Sequence, residues 1–370
     1  MQIEPFGLER WFAEYEHGAE IMLAESGVRS LGSGRFDTDP GELGYVIPTD
    51  GDPEVRAAVA DRYDRDADEV VCTCGTQEAN FLAVLAVLGG AHPLDGQRTA
   101  RSSSGTAHAV VVTPTYQALH AVPEAVGEVT RVPLEPPNWE LDIDAVADAI
   151  RSDTRLLVVN NPNNPTGRYH PLERIEALYD LAADNDAYLL CDEVYRLLAE
   201  DPIPPVASMG PHGLSTASLS KAYGLAGLRF GWLAGDRAVV DAACRWKDYT
   251  TISPGTFGQH VAKQALEDDT EAEIIAENRD LVSRNHDRTQ AFLERHGLEW
   301  YDPVGVNGFV TIPDEFENGR AFCRTVVEEA SVVLAPGEFF DHPDRFRIGF
   351  GLPTPELEAG LERIEAVLES

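Results

Sequence analysis

The chain has 370 residues, 43% of them apolar, so it can bury a sizeable core and is neither a small disulfide-stapled protein nor a disordered one. Its 63 acidic against 29 basic residues give a formal charge of -34, which argues against nucleic acids and anionic membrane surfaces as partners. Only three basic residues are lysines: Lys221, Lys247 and Lys263. Such a dispersed acidic excess is typical of a halophilic protein, because salt at 1 M screens charges beyond about 3 Å. Ordinary acidity of a mesophilic protein is the alternative.

The cysteines and the first residues bear on the compartment. The five cysteines contain no CxxC pair, and MQIEPFGLERWF has no basic region followed by an apolar stretch. No run approaches the roughly 18 apolar residues that a membrane helix needs. We therefore predict a cytoplasmic protein with reduced thiols and no membrane span. The histidines show no ligand spacing, so we predict no metal.

The predicted elements begin with an amphipathic helix, in which Leu8, Trp11, Phe12 and Tyr15 recur at helical spacing. From residue 70 onward, short apolar runs alternate with helical stretches, which favours an α/β fold with a mostly parallel sheet covered on both faces. The predicted strands are Val70–Thr73, Ala109–Thr113, Leu156–Asn160, Tyr188–Cys191, Ala217–Leu219 and Arg229–Ala234.

The rest of the chain divides into further parts. The polar stretch 91–108 predicts an exposed loop. After Pro254 an acidic helical region runs to about His296, and the strands and helices beyond it predict a second, α+β domain. The predicted division is an N-terminal helix with a substrate-side segment (1–44), a large domain (45–254) and a C-terminal small domain (255–370).

Unusual residues follow three of the predicted strands, at the sheet edge where ligands bind in such folds. NNPNNPTG (160–167) follows the first strand, Asp192 and Tyr195 follow the second, and Lys221 and Arg229 follow the third. An acid, a phenol, a lysine and an arginine at one edge suit a cofactor with a basic ring nitrogen, a phenolate oxygen, an aldehyde and a phosphate. Pyridoxal phosphate has all four groups, and we predict that the large domain binds it.

Each of these residues then has a predicted role. Lys221 would form the imine with the aldehyde, because desolvation and nearby cations can leave its amine nucleophilic. Asp192 would keep the ring nitrogen protonated, and Tyr195 would donate to the ring oxygen. Arg347 would clamp a substrate α-carboxylate, with Asn164 as a second donor. The phosphate and its surroundings would be bound by Ser218, Ser220, Arg229 and the helix N-terminus Gly75, Thr76 and Gln77.

Four segments, SLSKAYGLAGLRFGW, NNPNNPTG, CDEVY and FRIGFG, resemble the motifs of the class I/II aminotransferases, which are fold-type I pyridoxal phosphate enzymes. The resemblance runs from about Gly44 to Phe350. It implies a large domain with a mostly parallel, seven-stranded sheet and a smaller α+β domain, and it assigns the roles above residue by residue. It further implies that Asn164 lies beside Tyr195 at the ring oxygen of the cofactor and that Tyr116 stacks on the ring. Tyr45 would reach the phosphate of a neighbouring subunit, which implies a homodimer with shared sites.

The sequence is compatible with three alternative activities. The first is transamination of an α-amino acid, with Lys221 as both anchor and general base. LERWFAEYE, KDYTTISP and FDHPDRFRIGFG look more like the capreomycidine synthase branch, which implies elimination and cyclisation of a hydroxylated arginine-like substrate. A non-catalytic regulator is a remote third, since no DNA-binding segment is present. A GxSxG hydrolase elbow and a dinucleotide-binding GxGxxG turn are also missing from the sequence.

Substrate selectivity is predicted to lie in the loops 32–35, which include Gly34, and 250–253. Lys247 and Lys263 are expected to be solvated.

Overall fold

A seven-stranded sheet forms the centre of the fold in the computed structural model, which describes residues 2–44, 46–89 and 107–369. Its strand order is β2-β8-β7-β6-β5-β3-β4. The strands are β2 (Val70–Thr73), β3 (His108–Thr113), β4 (Glu128–Pro133), β5 (Thr154–Asn160), β6 (Tyr188–Asp192), β7 (Gly213–Ser218) and β8 (Gly231–Gly235). All pairings are parallel except those of β8, which runs antiparallel to β2 and β7. The predicted α/β class and mostly parallel sheet are confirmed.

Helices cover both faces of this sheet, which is why its central strands β3, β5 and β6 are buried except at the half-buried Arg155. One face packs on α3 (Thr76–Leu88) and α7 (Arg237–Lys247), around side chains such as Val71, Val111 and Leu190. The other helices of the large part of the chain are α2 (Pro53–Arg62), α4 (Ala118–Val126), α5 (Ile143–Ala149) and α6 (Leu172–Asp184).

Three details of the predicted strands are corrected. The strand predicted at Ala217–Leu219 is observed at Gly213–Ser218. It ends at Ser218 because the chain turns away there, and the Leu219 N–H donates to Phe230 O. The strand placed at Arg229–Ala234 begins at Gly231, since Arg229 adopts a left-handed conformation (φ 49°). The edge strand β4 was not predicted. Only one of its six residues is buried, which explains why it lacks an apolar run.

The C-terminal part of the chain builds two small sheets and a set of helices. Its three-stranded antiparallel sheet has the order β11-β12-β9, and β1 pairs with β10 in parallel. The strands are β1 (Ile21–Met22), β9 (Asn307–Thr311), β10 (Val332–Val333), β11 (Ala335–Pro336) and β12 (Arg345–Gly349). The helices are α8 (Thr256–Ala265), α9 (Asp268–His296), α10 (Gly319–Ala330) and α11 (Thr354–Leu368).

The N-terminal segment folds onto this C-terminal part. In α1 (Gly7–Tyr15), the indole of Trp11 donates to Leu334 O over 2.9 Å. Further along, the Gly349 N–H donates to Leu23 O, and a Cβ on Gly349 would lie 1.9 Å from Glu25 O. This close approach needs glycine, and it brings residues 24–26 to the carboxyl edge of the large sheet.

Lys247 and the 91–108 loop were both expected to be exposed to solvent. Lys247 was expected to be solvated, and this is wrong: it is 1% exposed and its amine donates to Thr49 O. Most of the predicted 91–108 loop lies outside the described residues. Within the part that the structure describes, no helix is long and apolar enough to cross a membrane.

Candidate active site

A cavity of about 330 Å³ opens at the carboxyl ends of β5, β6 and β7. It brings together eleven of the predicted site residues: Thr76, Gln77, Tyr116, Asn164, Asp192, Tyr195, Ser218, Ser220, Lys221, Arg229 and Arg347. The register explains part of this assembly, because Asn160, Asp192 and Thr216 lie side by side on β5, β6 and β7. The candidate active site is therefore at the edge predicted from the sequence.

Lys221 projects into this cavity just beyond β7. Its Nζ donates to Ser26 Oγ over 3.1 Å. Burial lowers the pKa of the amine, as do the nearby cations Arg347 and Arg229, while Glu25 raises it. Together these effects lower the pKa of Lys221 and so the free energy needed to deprotonate the amine. The uncharged amine is the form that can act as a nucleophile or a base.

Asp192 ends β6 with a buried carboxylate. One oxygen accepts from the Asn80 amide at 2.8 Å and the other from the Val194 N–H at 3.2 Å. Asn80 is held in turn by the Thr216 hydroxyl, which donates to its Oδ1 over 2.6 Å. Burial raises the pKa of Asp192 to about 6, against the lowering effect of these two donors. A cation placed beside this carboxylate would favour its ionised form.

The N-terminus of α3 and the loop after β7 form the anion-binding end of the cavity. Gly75 precedes the helix at φ 87°, and a Cβ there would come within 2.8 Å of the Arg229 guanidinium. The buried Thr76 hydroxyl has no hydrogen-bond partner among the described residues. Arg229 donates to Ser220 Oγ over 3.4 Å, and the Ser220 N–H donates to Ser218 Oγ over 3.2 Å. Positive charge, free donors and a helix N-terminus suit a phosphate.

Arg347 forms the opposite end of the cavity and is 1% exposed. Its guanidinium donates to Asn164 Oδ1 over 2.8 Å and to Ala24 O over 2.7 Å, while its Nε has no partner among the described residues. Burial lowers the pKa of Arg347, although the group stays protonated because arginine starts so high. A buried cation with unused donor capacity suits a carboxylate.

Two phenols line the space between these ends. Burial raises the pKa of Tyr195 to about 12, so this phenol stays protonated and can donate. Tyr116 donates to Glu9 on α1 over 3.0 Å, and its ring lies 5.1 Å from that of Phe6. Tyr116 thus joins the site to the N-terminal helix.

Some predicted residues lie elsewhere. Tyr45 is outside the described residues, so its predicted reach to a neighbouring subunit stays a prediction. Gly34 does not line the cavity, and neither do the other residues of the loops 32–35 and 250–253 that were expected to select the substrate. Gly75 contacts Arg229 from behind without lining the cavity itself.

Other lining residues were missed by sequence reasoning: Leu8, Glu9, Phe12, Glu16, Met22, Glu25, Ser26 and Asn80. A signal existed for Asn80, which lies one helical turn after Thr76 and so shares its face. For the N-terminal residues no local signal existed, because the packing of the segment on β10 and β12 carries them to the site.

A separate group of possible metal ligands lies outside the cavity. Ligand atoms of Glu4, His120 and Glu124 lie within 4.8 Å of one another. Arg131 already contacts this group, at 2.7 Å from His120 Nδ1 and 2.7 Å from a Glu124 oxygen. A guanidinium thus supplies the cation there.

Comparison with known proteins assigns the family. The family model "Aminotransferase class I and II" matches residues 35–364. Capreomycidine synthase of Streptomyces vinaceus is 34% identical, over 98% of this chain and 93% of the relative. Aromatic-amino-acid aminotransferase 2 of Thermococcus litoralis is 27% identical, over 95% of this chain and 94% of the relative. The fold and the site define a pyridoxal phosphate enzyme of fold type I, as the sequence resemblance implied. The chain belongs to the class I and II aminotransferase family.

Solved structures agree with this assignment. A PLP-dependent aminotransferase from Streptococcus suis superposes with a TM-score of 0.90 at 28% identity, covering 100% of this chain and 98% of its own. The PLP-dependent cyclase OrfR superposes with a TM-score of 0.87 at 26% identity, again covering 100% and 98%.

The cofactor implied by the family is pyridoxal phosphate, and the described residues fit it. The partnerless hydroxyl of Thr76 and the cation of Arg229 suit its phosphate, the buried Asp192 carboxylate suits its basic ring nitrogen, and Lys221 supplies an amine for its aldehyde. The prediction of this cofactor is confirmed.

Proposed function

We propose that the protein is an aminotransferase that removes the amino group of an α-amino acid and passes it to a 2-oxo acid. One observation carries this proposal: a single cavity contains the Lys221 amine, the buried Asp192 carboxylate and the buried Arg347 guanidinium. These are a base, an anion for a cationic ring and a clamp for a carboxylate.

Each of these cavity residues has a separate role in this reaction. Bound pyridoxal phosphate supplies an electron-accepting ring. Lys221 Nζ takes and returns the substrate proton, and Ser26 Oγ orients it by accepting a hydrogen bond. Asp192, held by Asn80, supplies the fixed negative charge. Arg347 and the amide nitrogen of Asn164 bind the α-carboxylate, so the Cα–H bond is held near the base.

The test is a half-reaction. Purified holoenzyme is incubated with a panel of amino acids without an acceptor. We expect the absorbance of the aminated cofactor to appear together with one equivalent of the 2-oxo acid by mass spectrometry. Products formed with the cofactor unchanged would contradict transamination and favour the second candidate.

The second candidate is elimination and cyclisation of a hydroxylated arginine-like amino acid. Three carboxylates favour a cationic substrate side chain, because Glu9, Glu16 and Glu25 line the cavity beside the apolar Leu8 and Phe12. Among the described lining residues, Lys221, Arg229 and Arg347 are the cations, and each already has a role. A substrate with a distal acid would therefore meet repulsion there. The similarity to capreomycidine synthase and to OrfR supports the same candidate.

This candidate predicts a balanced reaction without an acceptor. The β-hydroxyl leaves as water, and a guanidine nitrogen adds to the resulting double bond, so the product is lighter by one water. Glu25→Gln is expected to weaken binding of arginine but not of citrulline, its uncharged analogue, while Glu14→Gln on the exposed side of α1 is the control. Equal effects on both amino acids would contradict the role of Glu25.

We also propose that the enzyme is a homodimer and that the chain is divided into an N-terminal segment (1–44), a large domain (45–254) and a small domain (255–370). An exposed apolar surface supports the dimer: Tyr249 is 88% exposed and Ile47 83%, with Leu43, Ile252 and Phe257 also exposed. Tyr249→Glu is expected to shift the sedimentation coefficient towards that of a monomer, and Ile3→Glu is the matched control. A monomeric wild-type protein would contradict the dimer.

A further inference from the structure

A second cavity lies directly behind the cofactor site. It has a volume of about 130 Å³ and shares two lining residues, Val194 and Ser218, with the active-site cavity. Four charged side chains line it: Arg62, Glu193, Arg196 and Glu271. The mechanism above uses none of them, so their presence beneath a reaction centre requires an explanation.

Two of these charges are already paired. Arg62 donates to Glu271 over 2.7 Å, and the Tyr223 hydroxyl also donates to Glu271. The nearby Tyr63 hydroxyl accepts from the Trp232 indole over 3.0 Å. These contacts leave Glu193 and Arg196 as the pair whose charges face the cavity.

Glu193 is a buried carboxylate with one unused oxygen. Its side chain is 2% exposed, and Oε1 accepts from the Val206 N–H over 2.7 Å. Oε2 has no hydrogen-bond partner among the described residues, and Arg196 Nε lies 3.7 Å away. The cavity has room for water beside this oxygen, since one water occupies about 30 Å³ in the liquid. Arg196 and water together allow the carboxylate to ionise.

Glu193 also belongs to the turn that carries the site residues. It follows Asp192 directly, its N–H donates to Thr216 O over 2.9 Å, and its carbonyl accepts from the Arg196 N–H over 2.9 Å. Its charge is thus held at a fixed place close to Asp192. In a low-dielectric interior a unit charge a few ångströms away alters the ionisation of its neighbours strongly.

We propose that Glu193 and Arg196 are positioning residues that form a charge-setting pair, and that the negative charge on Glu193 raises the pH at which the bound cofactor loses its proton. They touch neither the cofactor nor the substrate. Burial raises the pKa of Glu193 to about 7 and Arg196 lowers it, so the carboxylate changes its charge near neutrality. The pair would act equally in transamination and in cyclisation, and so the inference goes beyond the proposed function.

Groups from several elements face this pair and contribute to its titration. They are Arg62 at the end of α2 and Tyr63 just after it, Cys191 and Asp192 on β6, Ser215 on β7, Glu271 on α9, and Tyr169 and Tyr223 in loops. The experiment therefore changes only the two members of the pair.

The test is a pH titration of the holoenzyme, followed by the absorbance of the bound cofactor. Glu193→Gln is expected to lower the midpoint by about one pH unit, because it removes a negative charge that stabilises the protonated form and leaves Arg196 uncompensated. Arg196→Gln removes the cation that lowers the pKa of Glu193, so the carboxylate takes up a proton and the midpoint is expected to fall, but by less than in Glu193→Gln. The double variant is expected to match Arg196→Gln, because in both variants the pair carries no charge.

The control is Glu200→Gln, which makes the same change at an exposed residue seven positions away. An unchanged midpoint in Glu193→Gln, or an equal shift in the control, would overturn the proposal. Glutamine keeps an acceptor for the Val206 N–H, so the turn is expected to fold. If Glu193→Gln nevertheless takes up no cofactor, Arg196→Gln decides alone, and a midpoint that stays or rises in it refutes the pair. A merely structural role would lower the thermal unfolding temperature without moving either midpoint.

Discussion

Lys221 has a particular environment that combines a depressed amine pKa, a hydroxyl acceptor at Ser26 and two nearby arginines. An arginine at this position would keep the positive charge and much of the side-chain length. It could neither lose its proton nor add to an aldehyde at neutral pH. We therefore propose that the lysine is required for its chemistry and not for its charge.

Lys221→Arg is expected to reduce turnover by at least about a thousandfold, a loss of about 4 kcal/mol in transition-state stabilisation. Steady-state kinetics and the visible absorbance of the reconstituted protein would measure this loss. Lys263→Arg, at a half-exposed lysine paired with Glu54, is the matched control and is expected to keep full activity. Substantial turnover by Lys221→Arg would refute the assignment.

Asp192 predicts a pH dependence of the cofactor-free protein. Burial raises the pKa of Asp192 from 3.8 to about 6, so the folded state binds this proton more tightly than the unfolded state. The associated stability is complete below pH 3.8 and is lost as the pH rises through about 6. The difference is about 3 kcal/mol.

Asp192→Asn stays neutral and is expected to lack this loss between about pH 4 and pH 6. Urea unfolding of the cofactor-free proteins at a series of pH values measures the difference from wild type. Asp184→Asn, at an exposed position, should follow the wild-type slope. Parallel pH profiles for wild type and Asp192→Asn would contradict a raised pKa.

The site residues that could be located from the sequence are those whose neighbours along the chain form a recognisable strand. Asp192 ends β6, and Lys221 and Arg229 follow β7, so their common location was predictable from the topology of a parallel sheet. Ser26 and Glu25 follow no such rule, because the packing of the N-terminal segment on distant residues carries them to the cavity, as the contact of Ala24 with Arg347 shows.

At the scale of elements, we propose that the turn between β2 and α3 controls phosphate binding. Gly75 takes a positive φ, which costs other residues free energy, and its missing side chain leaves the space that the Arg229 guanidinium occupies. Arg229 itself adopts a left-handed conformation. The backbone conformations of Gly75 and Arg229 therefore both help to hold the Arg229 guanidinium at the N-terminus of α3.

Gly75→Ala is expected to weaken cofactor binding by at least tenfold, about 1.4 kcal/mol, because the added Cβ displaces the guanidinium and strains the turn. Equilibrium dialysis of pyridoxal phosphate measures the dissociation constant. Gly227→Ala is the control, since a Cβ there meets nothing within 4 Å. Similar dissociation constants for the two variants would show that the guanidinium adapts without loss.

Strand positions were predictable where both faces are buried and less so elsewhere. Val70–Thr73 is observed with the predicted bounds, since each of its residues is apolar or small and buried. The edge strand β4 carries no such pattern, and the end of β7 depends on a hydrogen bond from Leu219 to Phe230 that no local sequence reveals. Long-range pairing thus decides what local patterns leave open.

The whole molecule carries a formal charge of -34, which predicts a strong salt dependence. Self-repulsion of the folded state weakens as the Debye length falls from about 10 Å at 0.1 M to about 3 Å at 1 M salt. We expect the thermal unfolding temperature to rise by several degrees over this range. Calorimetry in sodium chloride measures the effect, and chloride is chosen because sulfate also strengthens burial by exclusion. A flat or falling unfolding temperature would contradict the halophilic interpretation.

The contact between Arg347 and the carbonyl of Ala24 spans 323 positions, as does that between Trp11 and Leu334. A ribosome makes Ala24, which lines the cavity, 323 residues before it makes Arg347. A growing chain that already contains Lys221 still lacks β10 and β12, on which residues 21–26 pack. The cavity that we propose as the active site therefore cannot close until Arg347 has been made, and we expect a chain that stops before β10 to leave Lys221 without the wall formed by residues 21–26.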